Sequence, residues 1–493
     1  MTVIPFAEWT PDAPDFGNGT TVADGVIPRD DGSYGPFSGL TSFTDALTAR
    51  CQGAFAGKDS DANVANFAGD ASKLYKLTSG VTMSDVSRTA GYATPAEGSW
   101  RFCQFGNRVI ASNFNDEIQS YVLGTSSLFS NLAAAAPKAR QITVIEPGFV
   151  MAGNTYDAGD GNKPNRVWWC EYLDPTSWPT PGTAAAQAAQ SDFNDLPNGG
   201  WVQAITGAVG GASGAVFMED AIYRMDYAGP PIVFQFSEVE KQNGTPAPNS
   251  VVNVGPFAAY LGNDDFYIFD GVKSVGIGSG KVAKYIYDSI DQNYYNRIWG
   301  VSDPVNKLLI WGYPSEGGNG NIDSIAMFNY ATKRWSSASV DCEVLFRART
   351  SGYTLEQLDS FGTMETLQYS LDSRVWTGGA LNLAGFTTAH KMGYFNGDKV
   401  AATIETGEFP DAQNMKYIDG IRPIVDGGTV TACVGYRANQ SSAITYTTAT
   451  SADADGVCSQ RISARYARAK VSISGSWNQA VGIEPRMTDD GER

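Results

Sequence analysis

The sequence predicts a mostly β protein: a β-propeller of six to eight blades with an appended C-terminal β-sandwich-like domain. Three observations carry this expectation. The composition, with 54 Gly, 23 Pro, 24 Phe, 23 Tyr and 11 Trp in 493 residues, suits short strands and many turns better than long helices. A hairpin recurs: residues 257–271, FAAYLGNDDFYIFDG, set two apolar runs about a polar Gly262-Asn263-Asp264-Asp265 turn, and Val216-Phe217-Met218, Glu219-Asp220 and Ala221-Ile222-Tyr223-Arg224 repeat the plan. The recurrence has a period. Ile222 precedes Phe266 by 44 positions and Leu74 precedes Ile118 by 44, with weaker echoes at Val167-Trp168-Trp169, Met327-Phe328-Asn329-Tyr330 and Leu367-Gln368-Tyr369. A drifting period of about 40–50 residues built from short strands is the signature of propeller blades.

Taken in order, residues 1–50 carry Pro5, Pro11, Pro14, Pro28 and Pro36 among Gly and Asp, which predicts an extended N-terminal arm of the kind that wraps another surface. Residues 51–396 are assigned to the propeller. Within them, residues 100–105 and 108–112 alternate about a Gly106-Asn107 turn, a clear hairpin signal. Residues 297–339 offer four strand candidates, at 298–301, 307–313, 324–330 and 334–339, the number a blade requires. Two stretches break the pattern: TAAAQAAQ at 183–190, either a short helix or a loop, and TLEQL at 354–358, a helical turn before a strand at 360–364. Residues 397–487 read as a separate β domain of six to eight short alternating strands, and 488–493 as a frayed tail.

A net charge of −17 argues against a surface that grips nucleic acid, since phosphate binding needs clustered Lys and Arg. The N-terminal residues show no basic-then-apolar leader, and no 18-residue apolar run is present. Synthesis in the cytoplasm without a membrane anchor is therefore expected. Cys51, Cys103, Cys170, Cys342, Cys433 and Cys458 form no CxxC pair, which disfavours a zinc or redox motif. Cys433 and Cys458 are the one pair placed to meet as a disulfide, given an oxidising environment.

Candidate chemistry is sparse. His390 is the single histidine, and no GxSxG elbow surrounds a serine, so a nucleophilic triad has no recognisable frame. Asp220 and Asp265 at turn positions are the candidate carboxylate pair for glycoside hydrolysis, against the commoner role of turn aspartates in capping backbone amides. Asp59, Asp61, Asn63 and Asp70 stand at positions 1, 3, 5 and 12 of a calcium-loop frame, but Val64 occupies the position that needs Gly; Asp453-Ala454-Asp455-Gly456 fits less well. No GxxxxGK[ST] phosphate loop occurs. Arg461, Arg465, Arg468 and Lys470 make one basic stretch that either docks an acidic neighbour or phosphate chain or forms a solvated strand face. Trp299, Trp311 and Trp335 stack on sugars or pack between blades. No residue is assigned to catalysis, cofactor binding or metal binding.

The run IYRMDYAGPP, FQFSEVEKQNGTPAPNSV, AAYLGNDDFYIFDGV, IGSGKV, DPVNKLLIWGYP and MFNYATKRWSS, spanning about 213–339, resembles the tail hub or nozzle proteins of short-tailed bacteriophages, also called packaged-DNA stabilisation proteins. A looser likeness covers residues 100–111 and the C-terminal strands. The resemblance implies a structural virion protein of the phage tail, a homo-hexamer beneath the tail adaptor (the head-to-tail connector), with fibre, spike or needle proteins alongside or below. Double-stranded DNA would leave through its lumen without sequence-specific contact, and the ring would help retain and then release the genome. It implies no enzyme activity and no cofactor. The arm at 1–50 and the insertion at 157–198 have no counterpart. Six copies would carry six times −17, or −102, and an acidic lumen would let a duplex slide. Two other readings stand beside this one: a carbohydrate-binding or glycoside-hydrolysing β-propeller, and a monomeric scaffold that presents loops to a protein partner.

Overall fold

The computed structural model describes residues 3–14, 19–61, 63–78, 81–350, 381–409 and 415–489. Among these, seven four-stranded antiparallel units are arranged about an axis. Five are separate sheets that follow one another along the chain: Gly53–Asp85, Arg101–Asn131, Lys138–Asp195, Val202–Lys241 and Val252–Gly276 in their outer limits. The sixth unit is formed by Trp299–Asp303, Leu308–Tyr313, Ile322–Asn329 and the first half of the 16-residue strand Arg334–Arg349. That last strand then changes partner. Its residues 342–349 pair with Leu381–Thr387, which pairs with Lys391–Tyr394, and the outer position is taken by Thr41–Ala46 from near the start of the chain. The fold is thus a seven-bladed propeller whose last blade is closed by an N-terminal strand.

The 44-residue period has a structural meaning. Leu74 opens the third strand of blade one and Ile118 immediately precedes that of blade two, while Ile222 and Phe266 lie in the third strands of blades four and five. Val167-Trp168-Trp169 and Met327-Phe328-Asn329 end the third strands of blades three and six. The recurring signal is one strand position, in which an apolar residue of each blade meets its neighbour. The readings at Leu367-Gln368-Tyr369, 354–358 and 360–364 lie outside the described residues.

Packing follows the same rotation. Phe67, Trp100 and Val109 join blades one and two, and Ile110, Val150 and Trp168 join two and three. Phe149, Trp169 and Val216 join three and four, and Phe217, Tyr260 and Phe269 join four and five. Ile310, Met327, Val344, Phe386 and Tyr75 then join six, seven and one. Dry interfaces of this kind stabilise by about 25 cal/mol per Å² of apolar surface removed from water. Trp311 and Trp335, stacked 5.9 Å apart and fully buried, fix blade six to blade five. Their indole N–H groups donate to the carbonyls of Ser250 and Ile277, so neither presents a face to a sugar.

The N-terminal residues do not form a free arm. Ile4–Pro5 pairs with Ile483 and Gly482, Thr20–Asp24 pairs with residues 403–406, and Tyr34 lies opposite Ala480. Pro5, Pro28 and Pro36 each end a short strand. Nor is the C-terminal β region packed apart from the propeller. Its main pair, Lys416–Arg437 against Tyr466–Asp489, is broken by register shifts around Gly427 and Gly428, both at positive φ where a side chain would be strained. Its Ile421, Val434, Ile473 and Trp477 share one core with Phe6, Trp9 and Tyr34 from the N-terminus and Phe266, Trp311 and Trp335 from blades five and six. Thr488 and Asp489 continue the final strand, and residues 490–493 lie outside the described residues.

Two α-helices lie among the described residues. TAAAQAAQ does make one, Ala184–Ala189, inserted in blade three and capped by the Thr183 hydroxyl, which accepts from the Ala186 amide at 3.2 Å. The second, Ala283–Ser289 between blades five and six, was missed. Val282, Ile286 and Ile290, four apart and all buried, carried its signal.

Candidate functional site

The first strand of each blade lies nearest the axis. Ala54 and Phe55 from blade one, Arg101 and Phe102 from two, Ile142 and Thr143 from three, Ala204 to Thr206 from four, Val251 beside five and Trp299 from six together wall an axial cavity of about 220 Å³. A second hollow of about 340 Å³ opens above it, lined by inter-blade loops that include Glu97, Phe114, Arg140, Trp201, Glu219 and Tyr295. Gln141 and Pro248 line both, so the outer hollow adjoins the inner chamber at its mouth.

Arg101 dominates the inner chamber. It begins the strand Arg101–Phe105, in which Phe102 packs toward blade one and Cys103 and Phe105 toward blade three. Its guanidinium donates to the Pro248 carbonyl and lies 6.0 Å from the centre of the Trp299 ring. Its Nε is buried without a hydrogen-bond partner, as is Thr206 Oγ1, another residue of the cavity wall. Arg101 as a whole is half-buried and lines the cavity. Desolvation alone pulls its pKa down to about 10, because no carboxylate pairs with it among the described residues. At the mouth, Arg140 sits 4.2 Å over the Phe114 ring, and partial burial lowers its pKa as well. The acids nearby have other partners. Glu97 accepts from Arg297 Nε at 3.0 Å, and Glu219 accepts from the Trp201 amide at 3.0 Å and Gln203 Nε2 at 3.3 Å.

The residues singled out from the sequence do not converge here, Trp299 excepted. His390 Nδ1 meets Glu343 Oε1 at 2.6 Å, and Glu343 Oε2 accepts from the Cys51 amide at 2.8 Å. This pair sits where blade seven meets blade one. Burial raises the Glu343 pKa, opposed by the Cys51 amide and by His390. Asp265 accepts from the amides of Phe266 at 2.7 Å and Gly278 at 2.9 Å and is raised by burial; it ties a turn, and Asn263 reaches Asp220 only at 3.5 Å. Asp59 accepts from the Asp61 and Asn63 amides. Asp70 lies beyond the intervening strand Val64–Gly69, bonded to Thr48, Tyr75, Ser72 and Lys73. The calcium-loop frame is therefore split across a strand, and no cluster of three or more His, Cys, Asp or Glu suited to a metal occurs among the described residues. Asp453 closes its own turn by accepting from the Asp455 and Val457 amides.

The basic stretch divides. Arg461 and Arg465 are exposed, whereas Arg468 is buried against Glu405 at 3.5 Å and Glu408 at 3.4 Å, and Arg437 Nε reaches Glu408 at 2.6 Å. The acidic neighbour that Arg468 docks belongs to its own chain. Lys470 lies 5.4 Å over Tyr446. All six cysteines are free: Cys458 lies opposite Ile421 and Cys433 opposite Lys470. Arg101 was passed over because one arginine in an alternating strand has the pattern of a solvent-facing residue. Only ring closure turns that face into a cavity.

No protein-family model and no curated protein matches this chain. Among solved structures, it is similar to the Pan2 WD40 domain of Neurospora crassa at 8% identity and a TM-score of 0.39, over 72% of this chain and 94% of that one. It is also similar to the extracellular domain of a hybrid two-component system from B. thetaiotaomicron at 11% identity and a TM-score of 0.31, over 56% of this chain and 39% of that one.

Proposed function

We propose that this protein is a non-enzymatic structural component of a short-tailed phage tail, a hub or nozzle subunit that works in a ring through which DNA passes. The observation that carries the reading is the ordered likeness over about 213–339. That stretch corresponds to most of blade four, blades five and six and the helix between the last two, and blades five and six share their core with the C-terminal β region. Two further features support it. The carboxylates and the histidine weighed for catalysis are engaged in turns and seams, and the charge of −17 suits a wall past which a duplex slides. The cavity within one subunit is too small to be the DNA path, so the lumen would lie between copies. No helix among the described residues is long and apolar enough to cross a membrane.

Mass and symmetry of the purified particle test the proposal. Light scattering and negative-stain imaging of one sample should give a six-fold ring with a bore wide enough for duplex DNA, alone or on addition of the tail adaptor. A protein that stays monomeric with the adaptor and is absent from tailed particles would overturn it. A carbohydrate-binding propeller is the second reading, favoured by one observation, the aromatic and arginine lining of the axial cavity.

A further inference from the structure

We propose that the axial cavity is a binding site for a small oxyanion, one carboxylate or phosphate group, held by Arg101 and admitted past Arg140. This does not rest on the tail reading; it follows from an imbalance of charge. Burying a cation is costly unless an anion or a full set of acceptors compensates it. The fully buried arginines obey this: Arg166 meets Asp195 and Asp160, both at 2.6 Å, and Arg468 meets Glu405 and Glu408. Arg101, half-buried on the cavity wall, has one carbonyl acceptor and an aromatic face but no carboxylate among the described residues. The guanidinium belongs to the wall of a chamber that Thr206 also lines. An oxyanion in the chamber would accept from its N–H groups, and charge-assisted bonds of this kind are the strong ones. The depressed pKa of Arg101 agrees with an uncompensated site, and binding an anion would restore it.

Size and access narrow the ligand. A chamber of about 220 Å³ falls below the range of roughly 300–1,000 Å³ that holds drug-sized molecules, so it takes a single anionic group with few atoms attached. The mouth of about 340 Å³ leaves room for the remainder of a larger molecule whose acidic end is inserted. Trp299 and Phe102 offer flat apolar walls beside the charge, which suits the carboxylate of an acidic sugar as well as a sugar phosphate. The shared chemistry is the oxyanion.

The experiment uses the full chain with sodium phosphate, sodium glucuronate and, as neutral control, glucose, each up to on the order of 10 mM at constant chloride, read by calorimetry and by tryptophan fluorescence. Saturable binding of phosphate, glucuronate or both, with none of glucose, is expected, and which of them binds identifies the source of the oxyanion. Arg101→Gln should weaken that binding by about tenfold or more, and Thr206→Val by a smaller factor. Both variants should keep the unfolding midpoint of the parent, and Thr206→Val serves if Arg101→Gln does not fold. No binding of either anion to the parent, or equal binding by the parent and both variants, would overturn the proposal.

Discussion

Two regions of this molecule bury arginine in opposite ways. In the C-terminal β region Arg437 and Arg468 share Glu408, whose side chain is only 2% exposed, and Tyr446 donates to Glu405 at 2.7 Å. That network pairs its buried charges within the chain. In the axial chamber Arg101 pairs with no carboxylate among the described residues. The lesson is that burial of charge does not by itself mark a site. What marks one is burial that the chain leaves uncompensated, because the missing partner must then come from outside or the cost must be borne.

The sharpest way to break this comparison is to make the first region resemble the second. Glu408→Ala strips Arg437 and Arg468 of a shared buried carboxylate and should destabilise the fold by about 3–5 kcal/mol, measured as a shift of the urea midpoint at constant slope. A shift under about 1 kcal/mol would put the network on the same footing as exposed pairs. The seam between blades seven and one comes next. Glu343→Ala leaves the Cys51 amide and His390 without their acceptor and should cost about 1–3 kcal/mol, with the loss seen first in hydrogen exchange of the amides of 41–46.

In the axial chamber the expected sign differs. Arg101→Met removes an uncompensated charge at the expense of one bond to the Pro248 carbonyl, so thermal unfolding should stay within about 1 kcal/mol of the parent. A loss as large as that for Glu408→Ala would mean that Arg101 is a structural group. The smallest effect concerns the turn of blade five. Asp270 accepts from the Lys273 and Val272 amides, both at 2.9 Å, and these bonds, that to Lys273 foremost, hold its pKa below the usual 3.8. A depressed carboxylate stabilises the fold above its unfolded-state pKa, and that stabilisation is lost as pH falls through the folded-state value. Asp270→Ala should therefore cost about 0.5–1 kcal/mol at pH 7, and the gap to the parent should close in acid titrations below pH 3.8.

Much of the ring was legible in the chain. Hairpins such as Phe105 to Arg108 and Leu261 to Phe266 are local, and their turn chemistry sits beside the strands it joins. The third-strand echo was legible because an apolar residue is required there in every blade. What escaped was non-local. Thr41–Ala46 closes blade seven against Lys391–Tyr394, and nothing in TSFTDA marks its partner 350 residues on. The arm at 1–50 looked unstructured for the same reason: its ladder partners are at the other end of the chain. Turn aspartates such as Asp59 and Asp265 kept to the capping role that their positions suggested, whereas the axial site depended on residues of six blades meeting at one point.

The closing strand also sets a timetable for synthesis. Residues 41–46 leave the ribosome early, but their partners at 391–394 follow roughly 20–70 s later at about 5–20 residues per second. For that interval the growing chain is an arc of blades with an unsatisfied edge at each end, and an open edge is a template for any other strand. The same ladder that seals the finished ring thus makes the half-made one a client for chaperones, and makes this hexapeptide, added separately to a chain that lacks it, a candidate to complete the circle in trans.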